Sequence, residues 1–132
     1  MTIQERADIA ANLKESGQCN CCQAVTKVLA DTTGVDEATL QKMSAGFAAG
    51  MGCMEATCGA LIGANMILGL RTEGNGTLRQ SRELLSKFRE KCGAVTCKDL
   101  KGAASGKVLC ECADCVRNAV LAFGEVSPAE GV

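Results

Sequence analysis

Cysteine is the residue type whose number and spacing in this chain can do chemistry. The 132 residues include ten cysteines and no histidine. Two pairs, Cys19/Cys22 and Cys112/Cys115, have the C-x-x-C spacing that lets two sulfurs reach one metal ion or form a local disulfide. Because no imidazole is available, a soft-metal site must consist mainly of thiolates, which favours an iron–sulfur cluster, zinc or Cu(I). The cysteines fall into four groups: Cys19, Cys21 and Cys22; Cys53 and Cys58; Cys92 and Cys97; and Cys110, Cys112 and Cys115.

Such a cysteine content is also typical of small secreted scaffolds held by disulfides. Two features argue against that class. The first residues, Met1 to Arg6, lack the basic, apolar and small-residue order of an export signal, and the helix-forming composition differs from that of loop-rich scaffolds. We therefore expect a cytoplasmic protein, in which clustered cysteines bind metal or act in catalysis. A single buried cysteine is often only a small hydrophobic residue, so the argument depends on all ten together.

Charge and motif content exclude several classes of function. The 14 basic and 15 acidic side chains give a net charge of -1, so no basic field is available for nucleic acid. The stretch from Ser44 to Leu70 has Glu55 as its one charged residue, but Glu55, Asn65 and several glycines favour a buried central helix over a membrane span. Neither a Ser-His-Asp set nor a phosphate-binding loop is present to support a hydrolase or a kinase.

The elements that must position the cysteines are predicted to be helices. The chain is 47% hydrophobic but only 2% aromatic, so its core consists mainly of residues that favour or tolerate helices. We predict an all-α fold, a compact bundle of about five to six helices with cysteines converging from several helix ends. One domain is expected to span residues 1–132. The final residues, Ser127 to Val132, are expected to fray.

Local signals predict where the helices begin. Asn20 and Gln23 have the spacing of a capping box, and so do Thr77 and Gln80. Thr96 is a further cap candidate, so the residues that directly follow Asn20 and Thr96, which are both cysteines, should lie in first helical turns. Free N–H groups and the positive helix end stabilise thiolates there. Another helix is predicted from Cys112 to Phe123.

The segment from Cys53 to Leu70 is the most apolar part of the chain and is predicted to be the central helix. Gly59 and Gly63 lie four residues apart and leave one helix face almost without side chains. Another helix of the chain, or a second copy in a homodimer, could approach this face closely.

The segment Gly46 to Gly63, which contains Gly52-Cys53-Met54-Glu55-Ala56-Thr57-Cys58-Gly59-Ala60, resembles the central signature of the C_GCAxxG_C_C family of redox-active proteins. Asn20-Cys21-Cys22-Gln23-Ala24-Val25 is similar to the first cysteine motif of that family, Cys97-Lys98-Asp99-Leu100-Lys101-Gly102 to the third, and Cys112 followed by Val116-Arg117-Asn118-Ala119-Val120 to the fourth. The resemblance implies a redox protein whose cofactor-binding residues are Cys21, Cys58, Cys97 and Cys112.

Related domains occur in split-Soret-type cytochromes, where an iron–sulfur centre accompanies haem. This sequence lacks the C-x-x-C-H attachment site, so a haem role is not supported. Four cysteines suffice for one 2Fe–2S or 4Fe–4S cluster, whereas eight to ten could serve two clusters or a larger polynuclear centre. All ten are therefore candidate metal ligands, including the six that the family pattern does not contain: Cys19, Cys22, Cys53, Cys92, Cys110 and Cys115.

Three hypotheses about function follow from the sequence. The first is an electron-transfer or redox-sensing protein that holds an iron–sulfur cluster and meets a redox partner protein. The second is a thiol–disulfide oxidoreductase that uses a pair such as Cys112/Cys115. The third is a storage protein for Cu(I) or zinc, with thiolates facing the inside of the bundle.

Overall fold

The computed structural model describes residues 1–103 and 105–127, and helices dominate this part of the chain. Pro128 to Val132, most of the segment that is expected to fray, lie outside the described residues. A single 3₁₀ turn, Ala30–Thr32, follows the second helix. The α-helices of the described part are α1 (Ile3–Glu15), α2 (Cys21–Leu29), α3 (Glu37–Ser44), α4 (Gly59–Thr72), α5 (Thr77–Cys92), α6 (Cys97–Lys101) and α7 (Cys112–Val126).

The predicted all-α bundle is confirmed, and the five-residue α6 is the shortest of its helices. α1 packs along α7, and α2 packs along α4, while α7 also contacts α2, α4 and α5. The core between them consists of alanine and branched aliphatic side chains with two fully buried aromatic rings, Phe88 and Phe123. No helix among the described residues is both long enough and apolar enough to cross a bilayer.

The two predicted capping boxes have different outcomes. Asn20 caps α2 as expected, because its side-chain oxygen accepts from the Gln23 backbone N–H at 2.8 Å and the Gln23 side chain accepts from the Asn20 N–H at 3.1 Å. The prediction for Thr77 is wrong. Gly76, with a φ of 71°, precedes α5, and the Thr77 hydroxyl is instead 2.6 Å from the Thr72 hydroxyl across the turn.

The predicted central helix begins later than expected. α4 starts at Gly59, so the prediction of a helix from Cys53 onward is wrong for the residues before it. The preceding turn has left-handed backbone at three non-glycine residues, Ala49 (φ 52°), Met51 (φ 62°) and Met54 (φ 65°), and at the glycines Gly50 and Gly52. Left-handed residues cannot continue a right-handed helix, which explains the late start.

The small-residue face of α4 is covered within the chain by α2. A Cβ atom at Gly63 would lie 2.9 Å from the Cys22 carbonyl oxygen, and a Cβ atom at Gly59 would lie 2.6 Å from the Cys21 sulfur. Both distances are below van der Waals contact, so only glycine lets the two helices approach so closely. A homodimer stays a prediction, and it would need a different surface.

A short antiparallel contact places the starts of α4 and α6 next to each other. The Cys97 N–H donates to the Ala56 carbonyl at 3.0 Å, and the Cys58 N–H donates to the Val95 carbonyl at 2.8 Å. Gly50 makes room for this arrangement, since a Cβ atom there would lie 2.8 Å from the Cys97 Cβ atom. As a result, Cys58 and Cys97 lie beside each other although 38 residues separate them along the chain.

A buried arginine ties α1 to the end of α2, and it supports a stability prediction. Arg6 is 5% exposed and donates two hydrogen bonds to the Asp31 carboxylate, at 2.6 and 3.1 Å. The hydrogen bond from Arg6 holds the pKa of Asp31 below its usual value. We expect Asp31→Asn to lower the free energy of unfolding at pH 7 by about 1 kcal/mol, a modest value because the Asp31 side chain is largely in solvent.

The same substitution should change the acid response. A carboxyl with a lowered folded-state pKa stabilises the fold above its ordinary pKa of about 3.9, and this contribution is lost as the pH falls through the folded-state value. Asp31→Asn should therefore flatten the decline of stability below about pH 4, measured by urea unfolding. Asp8→Asn, which breaks the exposed ion pair with Arg117, is the matched control and should cost less at pH 7. Equal losses in the two variants would contradict a special role for Arg6.

Candidate metal centre

A cavity of about 270 Å³ lies where α2, α4, α6 and α7 begin. Backbone and alkyl groups form part of its wall, for example at Ala48 and Leu100. Half of the chain's cysteines line it, including the four that the family resemblance singles out: Cys21, Cys58, Cys97, Cys112 and also Cys115. Four segments that are distant in the sequence thus bring sulfur atoms to one space.

Each of the four resemblance-derived cysteines occupies the start of a different helix. Cys21, Cys97 and Cys112 are the first residues of α2, α6 and α7, and Cys58 is the residue directly before α4. The predictions that Cys21 and Cys97 lie in first turns are confirmed. Backbone N–H groups at helix starts have no partner within their own helix, and they favour negative charge nearby. The cavity is therefore suited to an anionic group.

Two lysines add positive charge to the cavity wall. The Lys101 ammonium group contacts the Cys112 sulfur, and Lys14 lines the same space from the end of α1. Burial by itself lowers the pKa of Lys101, but the hydrogen bond to Cys112 and the charges of Cys112, Cys97 and Cys115 together outweigh burial and raise it. Lys101 consequently stays protonated beside the sulfur.

Cys58 is the cavity thiol with the strongest stabilisation of its thiolate form. A hydrogen bond from Cys115 lowers the pKa of Cys58 to about 7, against the opposing effect of burial. The backbone N–H groups of Ala60 and Leu61, in the first turn of α4, and the charge of Lys101 contribute to this lowering. This sulfur is accordingly the most readily deprotonated of those whose pKa shift is described at the cavity.

The thiols of Cys21 and Cys97 are shifted in the opposite direction. Burial raises the pKa of both groups, and the sulfurs of Cys58 and Cys112 raise it further. The Ala49 N–H and Lys14 partly oppose this effect at Cys21. Several neighbouring thiols therefore cannot all ionise in this cavity unless a cation binds among them, so metal binding here would release protons.

A second group of sulfurs lies next to the cavity. Cys92 at the end of α5, Cys110 in the loop before α7 and Cys115 in α7 have sulfur atoms that all lie within 4.8 Å of one another. All three residues are buried, and this group could hold a metal ion. The Asn118 side-chain amide donates to Cys92 at 3.4 Å and lies 4.0 Å from the Cys110 sulfur. Cys115 belongs to both groupings, because it also lines the cavity.

One sulfur of this three-sulfur group has a strongly stabilised negative charge. Hydrogen bonds from Cys110 and Asn118, together with the nearby Cys115 thiol, lower the pKa of Cys92 to about 4. The Cys115 thiol lowers the pKa of Cys110, but the contact with Cys92 and burial outweigh this effect and raise it to about 11. The sulfurs of Cys110, Cys58 and Cys92 raise the pKa of Cys115. A thiolate at Cys92 is therefore favoured when no metal is bound.

The other three candidate ligands lie outside both groupings. The Cys19 thiol donates to the Gln41 side chain at 3.7 Å, and Cys53 is exposed on the left-handed turn. Cys22 is fully buried between α2 and α4, with its sulfur 3.9 Å from the Met66 sulfur, and burial raises its pKa to about 12. The arrangement of Cys22 is that of a small hydrophobic core residue.

Three residues that line the cavity or contact the sulfurs are not assigned a role by the sequence patterns: Lys14, Lys101 and Asn118. Lys101 follows Cys97 by four residues and Asn118 follows Cys115 by three, which are spacings of residues on one helix face. This spacing could have indicated that Lys101 and Asn118 lie beside the cysteines. Lys14 reaches the cavity from α1 through tertiary packing alone, and no local signal marks it.

A comparison with protein families finds a match for this chain. A family model described as "Putative redox-active protein (C_GCAxxG_C_C)" matches residues 19–126, which include all ten cysteines. No curated protein and no solved structure matches the chain.

Proposed function

The chain belongs to the C_GCAxxG_C_C family of redox-active proteins, and from this premise we propose that it is an electron-transfer or redox-sensing protein that holds an iron–sulfur cluster through Cys21, Cys58, Cys97 and Cys112. The observation that carries the proposal is the convergence of four helix starts, each with one of these cysteines, on a single cavity. Four thiolates are the number that a 2Fe–2S or 4Fe–4S cluster requires.

The residues present fit such a cluster in donor chemistry and in space. The cavity of about 270 Å³ is kept open by Gly59, at which a Cβ atom would collide with the Cys21 sulfur. Helix-start N–H groups and Lys101 supply the positive surroundings that an anionic sulfur centre needs. When bound, a cluster of this kind supplies reversible one-electron transfer. The chain itself sets the potential through burial and N–H to sulfur hydrogen bonds.

Cys112 marks the side from which a redox partner protein would approach. It is half-buried, whereas the other cavity cysteines are buried. Electron exchange favours the side of a centre that is least covered by protein, so we place the partner contact at the start of α7. Ten free cysteines also fit a reducing compartment such as the cytoplasm.

Anaerobic purification followed by elemental analysis and a visible spectrum tests the proposal. We expect a brown protein with iron and acid-labile sulfide in similar amounts. Four iron atoms per chain would identify one 4Fe–4S cluster, and two would identify one 2Fe–2S cluster. A colourless protein that takes up no iron during anaerobic reconstitution with ferrous ion and sulfide would contradict the proposal, and several bound copper or zinc ions per chain in its place would favour the storage hypothesis.

Lys101 gives a second prediction, which concerns the reduction potential. Lys101→Met removes the positive charge beside Cys112, so the reduced and more negative state of the centre loses stabilisation. The midpoint potential should become more negative by some tens of mV, where about 59 mV corresponds to a tenfold change for one electron. A spectroscopic redox titration measures this shift. Lys42→Met removes an exposed lysine of α3, outside the cavity, and should leave the potential unchanged. Equal shifts in both variants would show that Lys101 acts only through net charge.

One observation also favours the thiol–disulfide hypothesis. Cys112 combines partial exposure with a lysine contact, and this setting is typical of a reactive thiolate. Its thiolate would attack a partner disulfide and release one partner thiolate. Attack of Cys115 on the mixed disulfide would then release the second and leave a Cys112–Cys115 disulfide. In this case Cys115→Ser should trap a mixed disulfide on non-reducing gels, and Cys112→Ser should abolish it. No adduct with a disulfide substrate would exclude this function.

A further inference from the structure

We propose that the three-sulfur group of Cys92, Cys110 and Cys115 is a second metal site, which binds one thiophilic d¹⁰ ion, Zn²⁺ or Cu(I), separately from the redox centre in the cavity. Two of its three members, Cys92 and Cys110, do not line the cavity. The site therefore does not depend on the identity of the cavity's cofactor.

The sulfur spacing fits one ion. Zinc–sulfur bonds of about 2.3 Å in tetrahedral geometry place neighbouring sulfurs about 3.8 Å apart. The three sulfurs already lie within 4.8 Å of one another, so small side-chain rotations are enough to bind. Each cysteine of a 4Fe–4S cluster binds a different iron, and only two cysteines share an iron in a 2Fe–2S cluster, so neither cluster brings three cysteine sulfurs this close together. The spacing thus favours a single ion over an extension of the cluster.

Asn118 supplies the outer contacts that metal thiolates need. Its side-chain amide donates to the Cys92 sulfur at 3.4 Å and lies 4.0 Å from the Cys110 sulfur, so it can hold both sulfurs in place. Hydrogen bonds of this kind orient ligands and offset the negative charge of several thiolates around one cation. A group of cysteines that served only as core filler would not require an amide aimed at its sulfurs.

An ion at this site would cross-link three segments of the chain. Cys92 ends α5, Cys110 lies in the connection between α6 and α7, and Cys115 lies one turn inside α7. The residues from Ser105 to Leu109 in that connection are exposed, so few core contacts hold it. The ion would fix the start of α7, and thereby Cys112, relative to the rest of the cavity.

Metal analysis of two variants separates the two sites. In wild-type protein purified anaerobically and then equilibrated with excess Zn²⁺ and desalted, we expect about one zinc or copper ion per chain in addition to the iron. Cys92→Ala should lower the zinc and copper content by about tenfold or more and keep the iron. Cys21→Ala should do the reverse. X-ray absorption at the zinc or copper edge should show three sulfur neighbours at about 2.3 Å and identify which ion is bound.

Cys19→Ala is the matched control, because Cys19 is buried outside both groupings, and it should keep both metals. If Cys92→Ala fails to fold by circular dichroism, Asn118→Leu replaces it and should weaken zinc retention against a chelator by about tenfold. Loss of iron together with zinc in a folded Cys92→Ala variant would overturn the proposal, since it would indicate one larger centre. Absence of zinc and copper from wild type after equilibration would also overturn it. Absence of iron with zinc retained would contradict only the cluster proposal.

Discussion

Cys97→Ala is expected to lower the iron content of the purified protein to about a tenth of wild type or less, with loss of the brown colour. Loss of an outer contact alone typically weakens metal binding by about 10- to 100-fold, and Cys97 would be a direct ligand. The sulfur lies at the start of α6 in the cavity wall and has no place in the three-sulfur group. Iron analysis and the visible spectrum after anaerobic purification measure the effect.

Cys22→Ala is the control for this result. Cys22 is as deeply buried as Cys97 and neighbours Cys21 in the sequence, but its sulfur faces Met66 of α4 and does not line the cavity. We expect this variant to keep its iron and to lose only the modest stability that a small core truncation costs, about 1 kcal/mol. Equal iron loss in the two folded variants would place the centre elsewhere and would contradict the assignment to the cavity.

Gly59→Ala is expected to destabilise the protein by about 2–3 kcal/mol, the upper part of the usual range for overpacking a tight contact. The added Cβ atom would lie 2.6 Å from the Cys21 sulfur, and it would also collide with the Phe47 carbonyl group, which cannot rotate away as a side chain can. α2 must then move away from α4, and the Cys21 sulfur must move with it. Urea unfolding should show the loss of stability, and iron content should fall in the same variant.

Gly69→Ala provides the matched comparison on the same helix. Nothing lies within 4 Å of a Cβ atom at Gly69, so alanine should stabilise α4 by up to about 1 kcal/mol. Opposite signs at the two positions would show that the close approach of α2 causes the effect at Gly59. A stabilised Gly59→Ala variant would mean that the two helices do not pack as closely as described.

The helical class and several helix starts could be predicted because their causes are local. The side chains of Asn20 and Gln23 accept hydrogen bonds from each other's backbone N–H groups. This needs no contact with other segments, and the predicted cap is present. Thr77 has the same local pattern but does not cap α5, because the turn before it places the Thr72 hydroxyl within hydrogen-bonding distance. A nearby competing partner was enough to override the pattern.

The candidate site could be predicted only in part, because closeness in sequence does not determine the direction in which a side chain points. Cys22 directly follows Cys21, but successive residues of a helix point about 100° apart, so only Cys21 reaches the cavity. Its closeness to Cys58 in the sequence makes Cys53 a candidate metal ligand. Left-handed backbone at Met51 and Met54, which side chains normally disfavour, leaves it in solvent instead.

The pairing of Cys58 with Cys97 also had no signal in the sequence. It depends on two backbone hydrogen bonds between segments that two helices, α4 and α5, separate along the chain. Composition and helical periodicity describe each segment by itself. They contain no information about which two helix starts will meet.

The four proposed ligands in the cavity lie at the starts of α2, α4, α6 and α7, so the ribosome makes them one after another. The ribosome makes α7 after α2, α4 and α6, so a nascent chain that lacks α7 offers at most three of the four proposed ligands. Such a chain would be a poor acceptor for a cofactor, so assembly of the centre would follow synthesis of α7. A delivery factor would then reach the ligands on the side where Cys112 is half-buried.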